Sequence, residues 1–303
     1  MDERDGFAVT LSDIEGLEST LELRTHNPQI DLVSRILHER GCWEPFETAL
    51  WLACQQSASV AVDVGANLGY FSLLSARHFA GPARIIAFEP ADDNYRLLCE
   101  NLRLNGAAGR VEAVAAALGD VEEVIAGVSL GHSAGNSAGV SAGVSAGTSA
   151  ASGMLYRSPD NLGDHQTYPG DGQRTTEAIS ILHGSSCLED MGIEHIDVLK
   201  VDTQGSEYAV IAGLMSVLAS STPTIRILIE LTPWSLRCAG RSGSELLALL
   251  GQLGLPVSIV DHLEHRLVSS SFSSLTEWSD NVDGVSGDRG FMNIFIGHPP
   301  QGF

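Results

Sequence analysis

Residues Val60–Leu74 read VAVDVGANLGYFSLL, and the fold follows from how this stretch is parsed. The run from Val60 is apolar up to Asp63, where it ends, and reads as a buried strand. Gly65, Asn67 and Gly69 then mark a turn, and a helical pattern follows. Gly65 allows the tight turn and Gly69 lets the helix start close to the strand, and both uses need the missing Cβ. A buried strand running through such a turn into a helix is the opening half of a βαβ unit, with backbone N–H groups able to receive a carboxylate.

Similar units recur outward from this one. ARIIAFEP (83–90), RVEAVAAALG (110–119), HIDVLKVD (195–202), TIRILIELT (224–232), LPVSIVD (255–261) and FMNIFIGHP near the end all read as strands. Helical patterns fall between several of them, at about 68–79, 92–105, 206–219 and 243–253. Apolar strands alternating with helices imply a mostly parallel sheet covered on both faces, a doubly wound, Rossmann-like α/β fold with ligands at the carboxyl ends of its strands. Upstream, Ile30, Val33, Ile36 and Leu37, then Phe46, Ala49, Leu50 and Ala53, recur at helical spacing with Gly41 as a stop. The expected organisation is therefore an N-terminal helical extension, 1–57, followed by one α/β domain, 58–303. A Ser/Ala/Gly near-repeat interrupts that domain at about 131–152. Its four GxSxG matches have the pattern of a hydrolase nucleophile elbow without the strand and helix that must bracket it.

The balance of 38 acidic against 17 basic side chains, a formal charge of −21, would repel a phosphate backbone or an anionic bilayer, so nucleic acid and membrane are not expected partners. The charged start MDERDGFAVT lacks a secretory pattern, and a cytoplasmic protein is expected. Five scattered cysteines without a CxxC pair signal neither a disulfide framework nor a zinc cluster.

A dinucleotide fingerprint wants GxGxxG, but Asn67 stands at its middle glycine and Tyr70 at its third. The next strand ends in Glu89–Pro90, where a carboxylate can accept from both hydroxyls of a ribose. Glycine turn plus carboxylate at this separation fits S-adenosylmethionine better than NAD. The cofactor-binding candidates are Asp63, Gly65, Ala66, Asn67, Gly69, Glu89, Pro90, Asn94 in the following helix, and Ala117, whose small side chain leaves room for a purine.

VDVGANLGYFSLL, FEPADDNYRLLCENLRLNG, NLGDH, IDVLKVDTQGSEYAVIAGL and IRILIEL, in this order, resemble the FkbM-type methyltransferases over roughly residues 58–232 apart from the repeat. The resemblance implies a class I methyltransferase fold, S-adenosylmethionine as cofactor, and O-methylation of a hydroxyl on a sugar, polyketide or similar small-molecule or glycan acceptor. The repeat and TQGSE, where the family more often has an acidic residue before the glycine, depart from the usual pattern.

A neutral alcohol acceptor needs a group to take its proton. Asp202 and Glu230 end neighbouring strands and put two carboxylates at one rim of the cleft; Asp202 is equally suited to capping the next helix. His165, in the polar segment NLGDHQTY, is the first candidate for the base, and the resemblance strengthens it because NxGDH recurs in that family near the active site. Lys200, in an apolar strand, calls for an ion pair with Asp197, Asp202 or Glu207. Asp202 with Glu230 and a histidine such as His262 gives a minority reading with a divalent cation, which nothing else indicates. A nicotinamide-dependent oxidoreductase and a non-catalytic adenosylmethionine-binding protein are the competing readings.

Overall fold

The computed structural model describes residues 6–121, 150–169 and 174–303, except 13, 18, 80, 160, 286 and 288. The chain opens with a hairpin of β1 (Phe7–Leu11) and β2 (Leu21–Thr25), then α1 (Leu32–Arg40) and α2 (Pro45–Cys54). Next come β3 (Val60–Val64), α3 (Tyr70–His78), β4 (Arg84–Phe88), α4 (Asp92–Leu104) and β5 (Val111–Val114). β6 (Ala117–Gly119), β7 (Ala150–Arg157), β8 (Thr175–His183) and α5 (Gly184–Asp190) precede β9 (Val198–Val201), α6 (Glu207–Ser221) and β10 (Arg226–Leu231). The chain finishes with α7 (Pro233–Cys238), α8 (Gly243–Gly251), β11 (Val257–Asp261), β12 (Arg266–Ser270), α9 (Phe272–Gly284) and β13 (Met292–Ile296).

Eight strands form the main sheet in the order β12-β11-β13-β10-β9-β3-β4-β5. β10, β9, β3, β4 and β5 are parallel neighbours, while β13 runs antiparallel to β10 and β11 on either side of it. Successive side chains on each strand point to opposite faces, and both faces are apolar. Val62, Val64, Ile86, Phe88, Leu199 and Val201 pack with Leu188, Ile211, Leu214 and Leu247 of α5, α6 and α8. Their alternates Ala61, Ile85, Ala87 and Val198 pack with Leu50, Phe71, Leu74 and Leu98 of α2, α3 and α4. This is the doubly wound sheet expected from the sequence. The order reverses between β3 and β9, so the ligand crevice lies over the carboxyl ends of those strands.

Three features differ from expectation. The run 110–119 is two strands: the chain turns after Val114, and β6 leaves the main sheet to pair with β8, which also pairs with β7. The N-terminal extension is not wholly helical, because the β1–β2 hairpin precedes α1 and α2. Asn101 and Asn105 of α4 clamp β2 to the domain: Asn101 Nδ2 donates to Arg24 O (2.9 Å) and Asn101 Oδ1 accepts from Arg24 N (2.6 Å), while Asn105 bonds both backbone groups of Glu22. Asp202 does not cap α6, whose N-cap is Ser206. The repeat and its GxSxG copies lie outside the described residues, apart from 150–152, which open β7. No helix of the described residues is long and apolar enough to cross a membrane.

Candidate active site

A cavity of about 400 Å³ lies over the carboxyl ends of β3, β4, β9 and β10. Gly65, at φ +84°, forms its floor beside β9: a Cβ there would stand 1.9 Å from the Asp202 carbonyl oxygen. Asn67 takes the left-handed conformation at φ +52°. The amides of Gly65 and Ala66 both donate to Phe88 O (3.0 Å), Asn67 N donates to Glu89 Oε2 (2.8 Å), and Gly69 N donates to Ala66 O (2.8 Å). These four amides are spent on the turn itself, which corrects the expectation that they stand free for a carboxylate. Gly69 does not line the cavity; it permits close packing of α3 on α4, since its Cβ would meet Leu98 Cδ1 at 2.5 Å. Asp63 is also behind the wall. It shares the face of Ala61, is buried, and accepts from Ser72 Oγ at 2.7 Å.

Ala66, Asn67, Glu89, Pro90, Asn94 and Ala117 are brought together around one half of the cavity. Glu89 is 5% exposed. Its Oε2 accepts from Asn67 N and its Oε1 from Ala91 N (3.0 Å), which leaves a lone pair on Oε2 for a ligand. Burial raises its pKa to about 7, against the opposing pull of these amides. Asn94 positions this carboxylate: its Nδ2 faces Glu89 Oε1 (3.5 Å) and donates to Leu162 O (3.0 Å), while its Oδ1 accepts from His26 Nε2 (2.7 Å).

The other half holds Asp202, Glu230, Lys200, Gln204 and Glu44. Lys200 Nζ donates to Asp202 Oδ2 at 2.9 Å and lies 4.6 Å from the centre of the Phe71 ring. Burial alone would push Asp202 up, but Lys200 more than offsets it and holds this carboxylate below its ordinary range. Glu230 Oε2 accepts from Gln204 Nε2 (3.1 Å) and Thr232 Oγ1 (2.9 Å); burial, then Asp202 and Glu207, push its pKa well above the usual value. Among the described residues no group of three or more His, Cys, Asp or Glu is placed to hold a metal ion, and His262 is exposed in the β11–β12 turn.

The segment that carries the glycine turn, Glu89, Asp202 and Glu230 lies within residues 63–255, which match the model of the methyltransferase FkbM domain. The chain belongs to the FkbM methyltransferase family. Methyltransferase sdnD of Sordaria araneosa is 30% identical over 163 residues, which cover 50% of this chain and 59% of that protein. The solved structure of precorrin 8w decarboxylase from Methanobacterium thermoautotrophicum gives a TM-score of 0.41 at 15% identity, covering 85% of this chain and 91% of that one. The O-methyltransferase TomG from Streptomyces achromogenes gives 0.38 at 11% identity, covering 91% and 92%.

In this member of the FkbM family the cavity residues fit S-adenosylmethionine. Glu89 keeps a lone pair on Oε2 for a ribose hydroxyl, Gly65 lies in the floor, and two buried polar atoms on cavity-lining residues, Asn67 Oδ1 and His165 Nε2, have no protein partner. Asn67 stands where a pyrophosphate would need a glycine, which disfavours the oxidoreductase reading.

His165 sits in the 161–167 segment that roofs the cavity, but its geometry is the reverse of a base. Ser158 N donates to His165 Nδ1 at 3.2 Å, so the neutral ring carries its proton on Nε2 and offers a donor. Burial first, with Arg157, His26 and Arg174 adding to it against Asp93, lowers its pKa to about 4. The unfolded chain therefore binds a proton that the folded one refuses between about pH 6.5 and 4, so this residue costs stability as pH falls through that window. His165→Gln is expected to flatten the acid side of the stability profile, removing a penalty on the order of 2 kcal/mol at pH 4. Urea midpoints of both proteins from pH 7 to 4 measure it; parallel profiles would exclude a neutral, buried His165.

Sequence reasoning missed Glu44, Gln204 and Thr232. Gln204 has a signal in hindsight: it precedes Gly205 and takes φ +52°, turning the chain so that its amide bridges Asp202 and Glu230. No local motif marks Glu44.

Proposed function

We propose that this methyltransferase moves the methyl group of S-adenosylmethionine to a hydroxyl oxygen of a small-molecule or glycan acceptor, such as a sugar or polyketide alcohol. The observation that carries the reading is Glu89, buried, held by two backbone amides, and lining the cavity with a free lone pair on Oε2. A ribose hydroxyl donating to that oxygen, with its neighbour displacing the long Asn94 contact on Oε1, favours the charged carboxylate. Ala117 leaves space for the purine, and the cofactor's methyl end then points to the half of the cavity that holds Asp202 and Glu230. Methyl transfer disperses charge, so orientation of donor and acceptor supplies much of the rate. His165 Nε2–H orients an acceptor lone pair, and a carboxylate in that half of the cavity supplies the sink an alcohol proton needs.

Calorimetric titration with S-adenosylmethionine, S-adenosylhomocysteine and NAD tests the reading. Both adenosyl-sulfur compounds are expected to bind and NAD is not. Glu89→Gln places an N–H₂ against one of the backbone amides and removes a charged acceptor, so binding should weaken by about 2–3 kcal/mol, roughly 30- to 150-fold. Binding of NAD alone would return the oxidoreductase reading; unaltered affinity in the variant would remove Glu89 from the nucleoside site.

A further inference from the structure

Alkylation of an alcohol by a sulfonium changes two charges together. The O–CH₃ bond forms as the S–CH₃ bond breaks, its electron pair stays on sulfur, and the hydroxyl proton must leave. Inside a cavity of low dielectric a net charge left behind is costly, so the group that takes the proton should be one whose charge the sulfonium itself controls.

Elimination among the described ionisable residues lining the cavity leaves one such group. Asp202 is held below its ordinary range by Lys200, and Asp164 is ion-paired with Arg174 at 2.7 Å. Glu230 accepts from Gln204 and Thr232, and burial, then Asp202 and Glu207, push its pKa well above its ordinary range. His165 has its basic nitrogen engaged by Ser158, and Glu89 is tied at the nucleoside end. The Tyr70 hydroxyl is occupied by Cys42 (3.3 Å) and Thr48 (3.2 Å), and burial pushes its pKa up. Glu44 alone is locked in neither state.

Glu44 precedes Pro45 at the start of α2 and holds φ +44°, ψ +71°, a left-handed conformation that a side-chain-bearing residue before proline rarely adopts. That conformation is kept at a residue lining the cavity. Lys200 of β9, Asp202 just after it, Glu47 of α2, Glu230 of β10 and Asn293 of β13 are the groups that act on it. Burial is the largest influence, partly offset by Lys200, and its pKa stands at about 7.

We propose that Glu44 is the proton acceptor of the reaction: ionised while the positively charged donor is bound, and protonated by the acceptor hydroxyl as the sulfur becomes neutral. This rests on the O-methylation reading above. It also assigns a catalytic role to a residue outside the matched domain, 63–255.

The test needs no known acceptor. Binding of S-adenosylmethionine and S-adenosylhomocysteine is measured by calorimetry at pH 7 in buffers of different ionisation enthalpy, which counts the protons exchanged. Glu89, which also stands near 7 and meets the ribose of either compound, contributes the same release to both, so a Glu44 carboxyl that titrates near 7 and loses its proton to a neighbouring cation should add about half a proton per S-adenosylmethionine over the neutral thioether. Glu44→Gln and Glu44→Gly should lose that excess, and their preference for S-adenosylmethionine over the thioether should fall by about tenfold, the equivalent of one unit of pKa. Glycine suits the positive φ, so Glu44→Gly guards against a folding defect, and melting curves check both variants. Equal proton release with both ligands, or release unchanged in the variants, overturns the role of Glu44 alone. Failure of the unaltered protein to bind either compound overturns the methyl-donor reading instead.

Discussion

Gly65→Ala is expected to be among the most damaging single-methyl changes in this protein. The new Cβ would lie 1.9 Å from the Asp202 carbonyl oxygen, and neither β3 nor β9 can retreat, because the two strands are register partners through Val64 and Val201 in the middle of the sheet. The residue must also hold φ +84°. Left-handed strain of about 1–3 kcal/mol and overpacking of about 1–3 kcal/mol act together, so a loss of roughly 3–5 kcal/mol is expected. Binding of S-adenosylmethionine should be lost with it, because the displaced backbone is the cavity floor. Gly69→Ala supplies the control: its Cβ meets the far end of the Leu98 side chain, which can rotate away, leaving mostly the φ +89° penalty. Urea denaturation of the two variants should therefore rank Gly65→Ala well below Gly69→Ala; the opposite order would mean that the contact with Asp202 is relieved at little cost.

Lys200→Met carries the second large effect. Lys200 is 5% exposed, sits directly across from Asp63 in the β3–β9 register, and donates to Asp202. Its ammonium is raised above its ordinary range because Asp202, Glu44 and Asp63 together outweigh burial. Removing it leaves Asp63, 2% exposed, without a counter-charge, and removing one member of a buried pair costs about 3–5 kcal/mol. The sign of the pH dependence follows. An unpaired Asp63 has its pKa raised further, so the folded state gains by protonation and the deficit is smallest in acid and largest above neutrality. Denaturation at pH 5 and pH 8 should show the variant recovering at the lower value. A pH-independent deficit would mean that lost packing against Phe71, not charge, is what matters.

The sheet was legible because its strands are apolar on both faces and end in carboxylates. Val60–Val64, Arg84–Phe88 and Arg226–Leu231 were all expected as strands, and Glu89, Asp202 and Glu230 come together at one end of the sheet. What sequence could not convey was direction. Asp63 belongs to the same motif as Gly65, yet strand alternation aims it at Ser72 behind the cavity wall. Asn94 was read as a ligand contact, but His26 and Leu162, remote in sequence, use its amide. His165 was read as a base because a loop histidine in a polar segment has that chemistry; the Ser158 amide, a non-local partner in the fold, decides which nitrogen is free. Glu44 had no signal because its position in the cavity arises from how α2 docks on the domain.

The placement of β13 bears on how the chain is made. This strand fills the slot between β10 and β11, although residues 232–291 separate it from β10. On the ribosome, β10 therefore emerges with one edge unpaired and stays so until β13 has cleared the exit tunnel. During that interval Ile227, Ile229 and Leu231 lie on a strand with an open edge, and a stalled or truncated nascent chain would present that edge for pairing with another copy.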